Sequence, residues 1–312
     1  MGTRVFLTGA CGYLGNVLLH FLANKKEIQS ITGIDYSIKN SSVAFPQKVH
    51  LIKMDIRSPE IFQSMKDHDV VIHTASIVQW QAKMSAKERD DINFNGLKNL
   101  AEAALQNKVE FFIQASSIAA YDPIKVQSLE NVDENFPIGD GCSSMYYLNA
   151  KSTCEKMLGR YFSNSTTKLA LMRMCYIVGP CDNSVIQSFC NSAVAFPGVD
   201  PRIQFVHEMD VAEAFYHVLC NRLVGPYNVV PNDFIRLTDV YKLNNVKPIT
   251  VPVWLAKTIQ YFRWKFLGAI THPSWVQGTL LDFSLSNSKL KGTGWAPKFS
   301  TSESILDAIA QR

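Results

Sequence analysis

Thr8-Gly9-Ala10-Cys11-Gly12-Tyr13-Leu14-Gly15 is the stretch on which the fold turns. An apolar run, Val5-Phe6-Leu7, precedes it and an amphipathic run, Asn16 to Leu22, follows, an order that predicts strand, tight turn and helix. Gly9 takes a positive φ readily, so the chain can reverse as it leaves the strand. Gly12 has no Cβ and lets backbone approach a pyrophosphate, and Gly15 lets the helix pack against the strand. The N–H groups of the helix start then face the anion, and the helix dipole adds to the attraction. The second spacing is Gly-x-x-Gly, which departs from the general dinucleotide pattern. Context carries the reading: a strand begins at residue 3, and an acid, Asp35, stands about 20 residues past the turn.

Outward from the turn, Ser30 to Ile34 predicts a second strand that ends on Asp35. An acid at that tip can accept hydrogen bonds from both hydroxyls of an adenosine ribose and repels a 2′-phosphate, which favours NAD over NADP; a solvated turn aspartate is the plainer reading, and Lys39 is the nearest base. Val49 to Met54 predicts a third strand, followed by Asp55-Ile56, and Asp69 to Thr74 a fourth, ending in His73-Thr74-Ala75-Ser76. Small residues there leave room for a cofactor across the strand tips, and His73 reads as packed in the sheet edge rather than catalytic. Met84 to Gln106 has helical spacing (Ile92, Leu97, Leu100, Ala104), and Phe111 to Gln114 predicts a fifth strand running into Ala115-Ser116-Ser117. Strands alternating with helices predict an α/β fold, a Rossmann-type doubly wound parallel sheet covered on both faces. An irregular stretch from Tyr121 to Cys142 leads to a long helix from near Ser144 to about Tyr161, and Lys168 to Met174 is a sixth strand. Beyond Gly179-Pro180 the alternation weakens and prolines multiply. This predicts an NAD-binding domain over 1–180, whose sheet is free to run past that limit, and a smaller C-terminal substrate-binding domain over 181–312.

The chain has 312 residues, 47% of them hydrophobic, with 31 basic and 27 acidic residues for a net charge of +4. So mild a balance, without a basic block, implies no nucleic-acid partner. Seven scattered cysteines with no Cys-x-x-Cys pair predict a reduced, cytoplasmic protein, and the scattered histidines predict no metal. The first strand starts too near Met1 to leave room for a signal peptide.

Tyr147-Leu148-Asn149-Ala150-Lys151 carries the chemistry. Residues four apart share a helix face. A phenol has a pKa near 10 and is a poor base at neutral pH, but a neighbouring ammonium stabilises the phenolate. The pair can therefore exchange a proton with a secondary alcohol or ketone, and the ammonium can also bond a nicotinamide ribose. Tyr146 has Ala150, not a cation, four residues on. Ser117, past the end of the fifth strand where ligands gather in such sheets, can hold the substrate oxygen; Ser116 is an equal alternative on local physics.

Thr8-Gly9-x-x-Gly12-x-x-Gly15, Asp35, Asp55-Ile56, Asn93-Phe94-Asn95-Gly96, Ser116-Ser117 with Tyr121 four residues on, and Tyr147-x-x-x-Lys151 together resemble the extended short-chain dehydrogenase/reductases. This is the NAD-dependent epimerase/dehydratase superfamily, which also holds the 3β-hydroxysteroid dehydrogenases. Phe205-Val206-His207-Glu208-Met209-Asp210-Val211-Ala212 is similar to the family's "FVHVDDVA" stretch, and Asn287 to Pro297 to its "LGW-P" stretch, so the resemblance runs from residue 3 to about 300. It implies Tyr147 as acid/base, Lys151 as its partner and Ser117, the serine four before the family's tyrosine, as the hydroxyl-binding residue. It places Gly9, Gly12, Tyr13, Leu14 and Gly15 on the pyrophosphate, Asp35 on the ribose, and Asp55 and Ile56 on the adenine. Thr74, Ala75 and Asn93 would line the nicotinamide half. Sugar-nucleotide epimerases often carry an Asn three residues after the Arg of the sixth strand; here Arg173 is followed by Met174, Cys175 and Tyr176. That departure favours an NAD-dependent oxidoreductase acting on a small molecule with a secondary hydroxyl or ketone. A nucleotide-sugar epimerase or dehydratase, and a non-catalytic NAD(H)-binding sensor, are the alternatives. Tyr176 and Arg202 are candidate substrate contacts, Arg202 for a diphosphate or as a plain rim residue. The resemblance also implies a homodimer paired through the helix of Tyr147 and its neighbour.

Trp254 to Leu267 has Leu255, Ile259, Phe262 and Phe266 on one helical face, with further aromatics and three cations. It is too short and too charged to span a bilayer. The expected role is a core-packing helix with a basic solvent face; the alternative is a surface helix that touches membrane or a lipidic substrate.

Overall fold

The computed structural model describes residues 2–38, 46–78, 82–121, 128–143, 145–182, 184–191, 193–269 and 271–310. Lys39 and Ser144 lie outside them. Seven parallel strands form the central sheet: β1 (Thr3–Thr8), β2 (Ile28–Asp35), β3 (Val49–Lys53), β4 (Val70–His73), β5 (Phe111–Ser117), β6 (Lys168–Met174) and β7 (Gly225–Val229). Their order is β7-β6-β5-β4-β1-β2-β3. The order reverses between β1 and β4, the switch point outside which ligands bind in such sheets. The sheet takes its last strand from residues 225–229, well past 180.

Successive strand residues point to opposite faces, and in the central strands β1, β4 and β5 both faces are buried. Val5, Leu7, Val70, Ile72, Phe111 and Ile113 face one layer, with α1 (Tyr13–Ala23) and α4 (Glu208–Asn221). Phe6, Val71 and Phe112 face the other, with α2 (Gly96–Gln106) and α3 (Tyr146–Phe162). Burial on both sides is why the strands read as continuous apolar runs rather than alternating ones. A third cluster, including Ile186, Phe205, Leu237, Tyr241 and Ile305, forms a separate small core in the C-terminal half.

Three expectations need correction. The span Met84 to Gln106 is not one regular helix: Ala86–Asp90 is α-helical, Asp91–Asn95 is a π-helical turn, and α2 follows. A π turn inserts one residue, which aims a side chain that regular spacing would point elsewhere; here it includes Asn93. His73 is not at a sheet edge, because β4 lies between β1 and β5 in the middle of the sheet. The helix α5 (Val253–Phe266) is not a core helix: only Ala256 is buried, and most of its aromatics face solvent. Among the described residues no helix is long and apolar enough to cross a membrane, no disulfide forms, and no cluster of metal-ligating side chains occurs.

Candidate active site

The site is built on the carboxyl ends of β1, β2, β4 and β5. The chain leaves β1 through Gly9 at φ +70°, and a Cβ there would lie 2.7 Å from the backbone N of Ala75. Gly15 is more constrained, because its Cβ would stand 1.9 Å from the Gly9 carbonyl oxygen. Only glycine lets α1 start this close to the loop, and the result is a cradle lined by backbone. Gly12 is the N-cap of α1 and supplies no side-chain cap, and the first turn holds no acid. The leading N–H groups of α1 are therefore left to an anion, the environment a diphosphate needs.

Asp35 at the end of β2 flanks this cradle. Its Oδ2 accepts from the Cys11 N–H at 3.0 Å and its Oδ1 from the Ser37 N–H at 3.0 Å. Thr74, past β4, donates its hydroxyl to the Thr8 carbonyl at 2.7 Å and so pulls Ala75 against Gly9. Asp55 is held by Arg57 at 2.6 Å, and that guanidinium, which also bonds Asp91, keeps the Asp55 carboxyl below the usual carboxylate range. Ile56 is buried, and its carbonyl accepts from the Asn99 amide at 2.8 Å. These groups stand at the carboxyl ends of β4, β1, β2 and β3, which are neighbours in the sheet. Asn93 does something the sequence does not show. Its amide donates to the Ile77 carbonyl at 3.0 Å and to the Tyr146 hydroxyl at 2.9 Å, and its oxygen accepts from the Ile77 N–H at 2.8 Å. It ties the segment after β4 to the start of α3.

On α3, Tyr147 and Lys151 share a face as their spacing predicts. Lys151 is buried; its ammonium donates to the Ala115 carbonyl of β5 at 3.1 Å and lies 5.7 Å from the centroid of the Tyr147 ring. The Tyr147 hydroxyl has no hydrogen-bond partner among the described residues, and its ring packs against Trp275 at 5.3 Å. His73 sits within the same neighbourhood. It is fully buried, hydrogen-bonded to the Thr8 hydroxyl at 2.6 Å, and burial together with the Lys151 charge pushes it down to about 3. It is therefore a neutral imidazole at physiological pH.

The two serines differ in surroundings. Ser116 donates to Glu155 Oε1 at 2.5 Å and faces a buried ion pair, Arg173 to Glu155 at 2.7 Å. The Ser117 hydroxyl accepts from the Ala119 N–H at 3.1 Å at the very tip of β5. Strand alternation sends the two side chains to opposite faces. Tyr176 follows β6, and burial with Tyr147 nearby pushes its phenol up to about 12. Arg202 lies in a different setting from that of an open phosphate contact. Its guanidinium bonds Asp282 at 2.9 Å and Glu130 at 3.1 Å, so its charge is already matched by two carboxylates.

Two further residues at the site were not singled out by sequence reasoning. Glu208, inside the Phe205–Ala212 stretch, is buried and accepts from the Tyr13 hydroxyl at 2.6 Å, locking the start of α1 to the start of α4. Trp275 covers the ring of Tyr147. Glu208 replaces an apolar position of the resembled stretch, which was a signal; Trp275 lies in no motif.

Comparison with known proteins gives the family and the fold. The family model described as "NAD dependent epimerase/dehydratase family" matches residues 5–230. Mouse 3 beta-hydroxysteroid dehydrogenase type 7 is 27% identical over 163 residues, which span 50% of this chain and 44% of that protein, so the match covers less than half of the relative's length. The UDP-glucose 4-epimerase of Thermus thermophilus, solved with NAD, has a TM-score of 0.74 at 22% identity over 99% of this chain and 98% of its own. The Bacillus anthracis dTDP-glucose 4,6-dehydratase, also with NAD, has a TM-score of 0.75 at 16% identity over 99% and 96%. At such identities the solved structures speak to fold alone.

Proposed function

Because the chain belongs to the NAD-dependent epimerase/dehydratase family, we propose that it is an NAD-dependent oxidoreductase that transfers hydride at a secondary alcohol or ketone, with Tyr147 as acid/base. The observation that carries this reading is the buried Lys151 ammonium, fixed on the β5 backbone at 3.1 Å and 5.7 Å from the centroid of the Tyr147 ring. NAD, when bound, supplies the hydride acceptor. The chain's own residues do the rest. Ser117 holds the substrate oxygen at the tip of β5. Tyr147 takes the hydroxyl proton as the carbinol C–H bond breaks, and returns it in the reverse direction. Lys151 keeps its ammonium on the same helix face, anchored to the Ala115 carbonyl. Gly9, Gly12, Tyr13, Leu14 and Gly15 form the anion cradle, Asp35 receives the ribose, Asp55 and Ile56 border the adenine, and Thr74, Ala75 and Asn93 shape the nicotinamide end.

The matched charge of Arg202 and the Trp275 ring against Tyr147 support an apolar or weakly charged alcohol over a nucleotide-sugar diphosphate. The test is a panel of secondary alcohols of rising apolarity run beside nucleotide sugars, with NADH formation as readout for the alcohols and product analysis for the nucleotide sugars, because an epimerase or dehydratase returns its hydride and accumulates no NADH. Turnover is expected among the alcohols. Activity confined to nucleotide sugars would replace this reading with an epimerase or dehydratase, and tight NAD binding without turnover would favour a sensor.

Asp35 also makes a prediction about cofactor choice. Asp35→Ala removes ribose acceptors and the bond that pins the Cys11 N–H. NAD affinity is expected to fall about tenfold, the effect of losing hydrogen bonds to a charged group, while NADP affinity rises relative to it as the repulsion disappears. Titration of both dinucleotides checks this; a wild-type protein that prefers NADP would refute the assignment.

A further inference from the structure

We propose that the outward face of α5 is a docking surface for an anionic lipid bilayer. Of thirteen large apolar side chains exposed among the described residues, six lie between Trp254 and Leu267. At about 3.6 residues per turn, Val253, Ala256, Gln260 and Trp264 form the inward stripe. Gln260 donates to the Thr271 carbonyl at 2.7 Å, and Trp264 meets His272 edge-on at 4.8 Å. The opposite arc carries Trp254, Ile259, Tyr261, Phe262 and Phe266, with Trp254 at 67%, Phe262 at 57% and Phe266 at 63% exposure. Phe262 and Phe266 pack on each other at 4.7 Å, one turn apart, so the arc is a contiguous patch rather than scattered residues.

Charge decides the occupant. Residues 240–281 hold Lys242, Lys247, Lys257, Arg263 and Lys265 and no Asp or Glu. Lys257 and Arg263 fall on the two borders of the apolar arc, and Lys265 lies within it beside Trp254 and Tyr261. Aromatics between flanking cations match an interfacial helix, whose rings enter the acyl boundary while its cations stay among the headgroups. A second copy fits worse. A two-fold contact would set the same cations against each other without a carboxylate of this segment to neutralise them. The helix, 14 residues long, extends about 21 Å and so lies in the interface rather than crossing it.

The test uses the whole chain sedimented with phosphatidylcholine vesicles, with and without phosphatidylserine. Binding is expected with phosphatidylserine and should weaken as salt rises. Phe262→Gln with Phe266→Gln should lower the vesicle partition coefficient at least ~10-fold, and Lys257→Gln with Lys265→Gln about 30-fold, at roughly fivefold per cation. Phe262, Phe266 and Lys265 face solvent, and Lys257 is exposed and gives up one bond to the Gln277 side chain at 2.8 Å; both pairs should keep a melting midpoint near the wild type, and NADH formation, which does not involve them, should persist. No sedimentation of the wild type with phosphatidylserine vesicles would overturn the proposal. So would binding indifferent to both double substitutions, or a concentration-dependent dimer that Phe262→Gln with Phe266→Gln dissolves.

Discussion

Tyr147→Phe is expected to lower turnover by ~10²–10⁴, the usual contribution of a positioned acid/base, while NAD affinity stays close to wild type. The substitution keeps the ring against Trp275 and removes only the hydroxyl, which bonds no described residue, so the melting midpoint should not move. Lys151→Met should reduce turnover too, and it should also weaken NAD, because its ammonium serves both the phenolate and the nicotinamide ribose in this account. The two turnover losses should not add, since both residues act on one proton transfer. Steady-state kinetics with the best alcohol of the panel, beside NAD titrations of each variant, separates these effects. A Tyr147→Phe protein with wild-type turnover would remove the proposed acid/base.

Arg173→Met should have its large effect on stability instead. Arg173 and Glu155 are among the most deeply buried charges, at 2.7 Å, with Ser116 donating to the same carboxylate and the Tyr121 ring 4.5 Å from the guanidinium. Removing one partner leaves an uncompensated carboxylate in the core, which costs about 3–5 kcal/mol. Arg173→Met combined with Glu155→Leu should recover part of that loss, because no charge is then left buried alone. Urea unfolding of the two proteins checks the order. A single variant as stable as wild type would show that the pair contributes little.

Much of the sheet was legible because burial on both faces writes the central strands β1, β4 and β5 as largely apolar runs. Lys168 to Met174 was readable to the residue, and the glycine turn announced both the first crossover and the anion cradle. What the sequence hid has separate physical causes. The π turn at Asn93 is a one-residue insertion, invisible to a periodicity measured over several turns. Arg202 could be read as a phosphate contact because its partner, Asp282, stands far along the chain. The apolar face of α5 was plain in the spacing, but spacing states only that a face exists, not whether another element covers it. Ser116 and Ser117 were inseparable by composition. Strand alternation distinguishes them only once the position of Glu155 is known.

Following the hydride itself tests whether this site oxidises a carbinol carbon. The alcohol of highest turnover would be prepared with deuterium on its carbinol carbon, and the reduced cofactor formed in a single turnover examined by mass spectrometry. Deuterium is expected in the NADH formed by the wild type, with a rate at least ~10²-fold lower for Tyr147→Phe. Deuterium appearing in solvent water, or alcohol consumed without label reaching the cofactor, would contradict hydride transfer at this site.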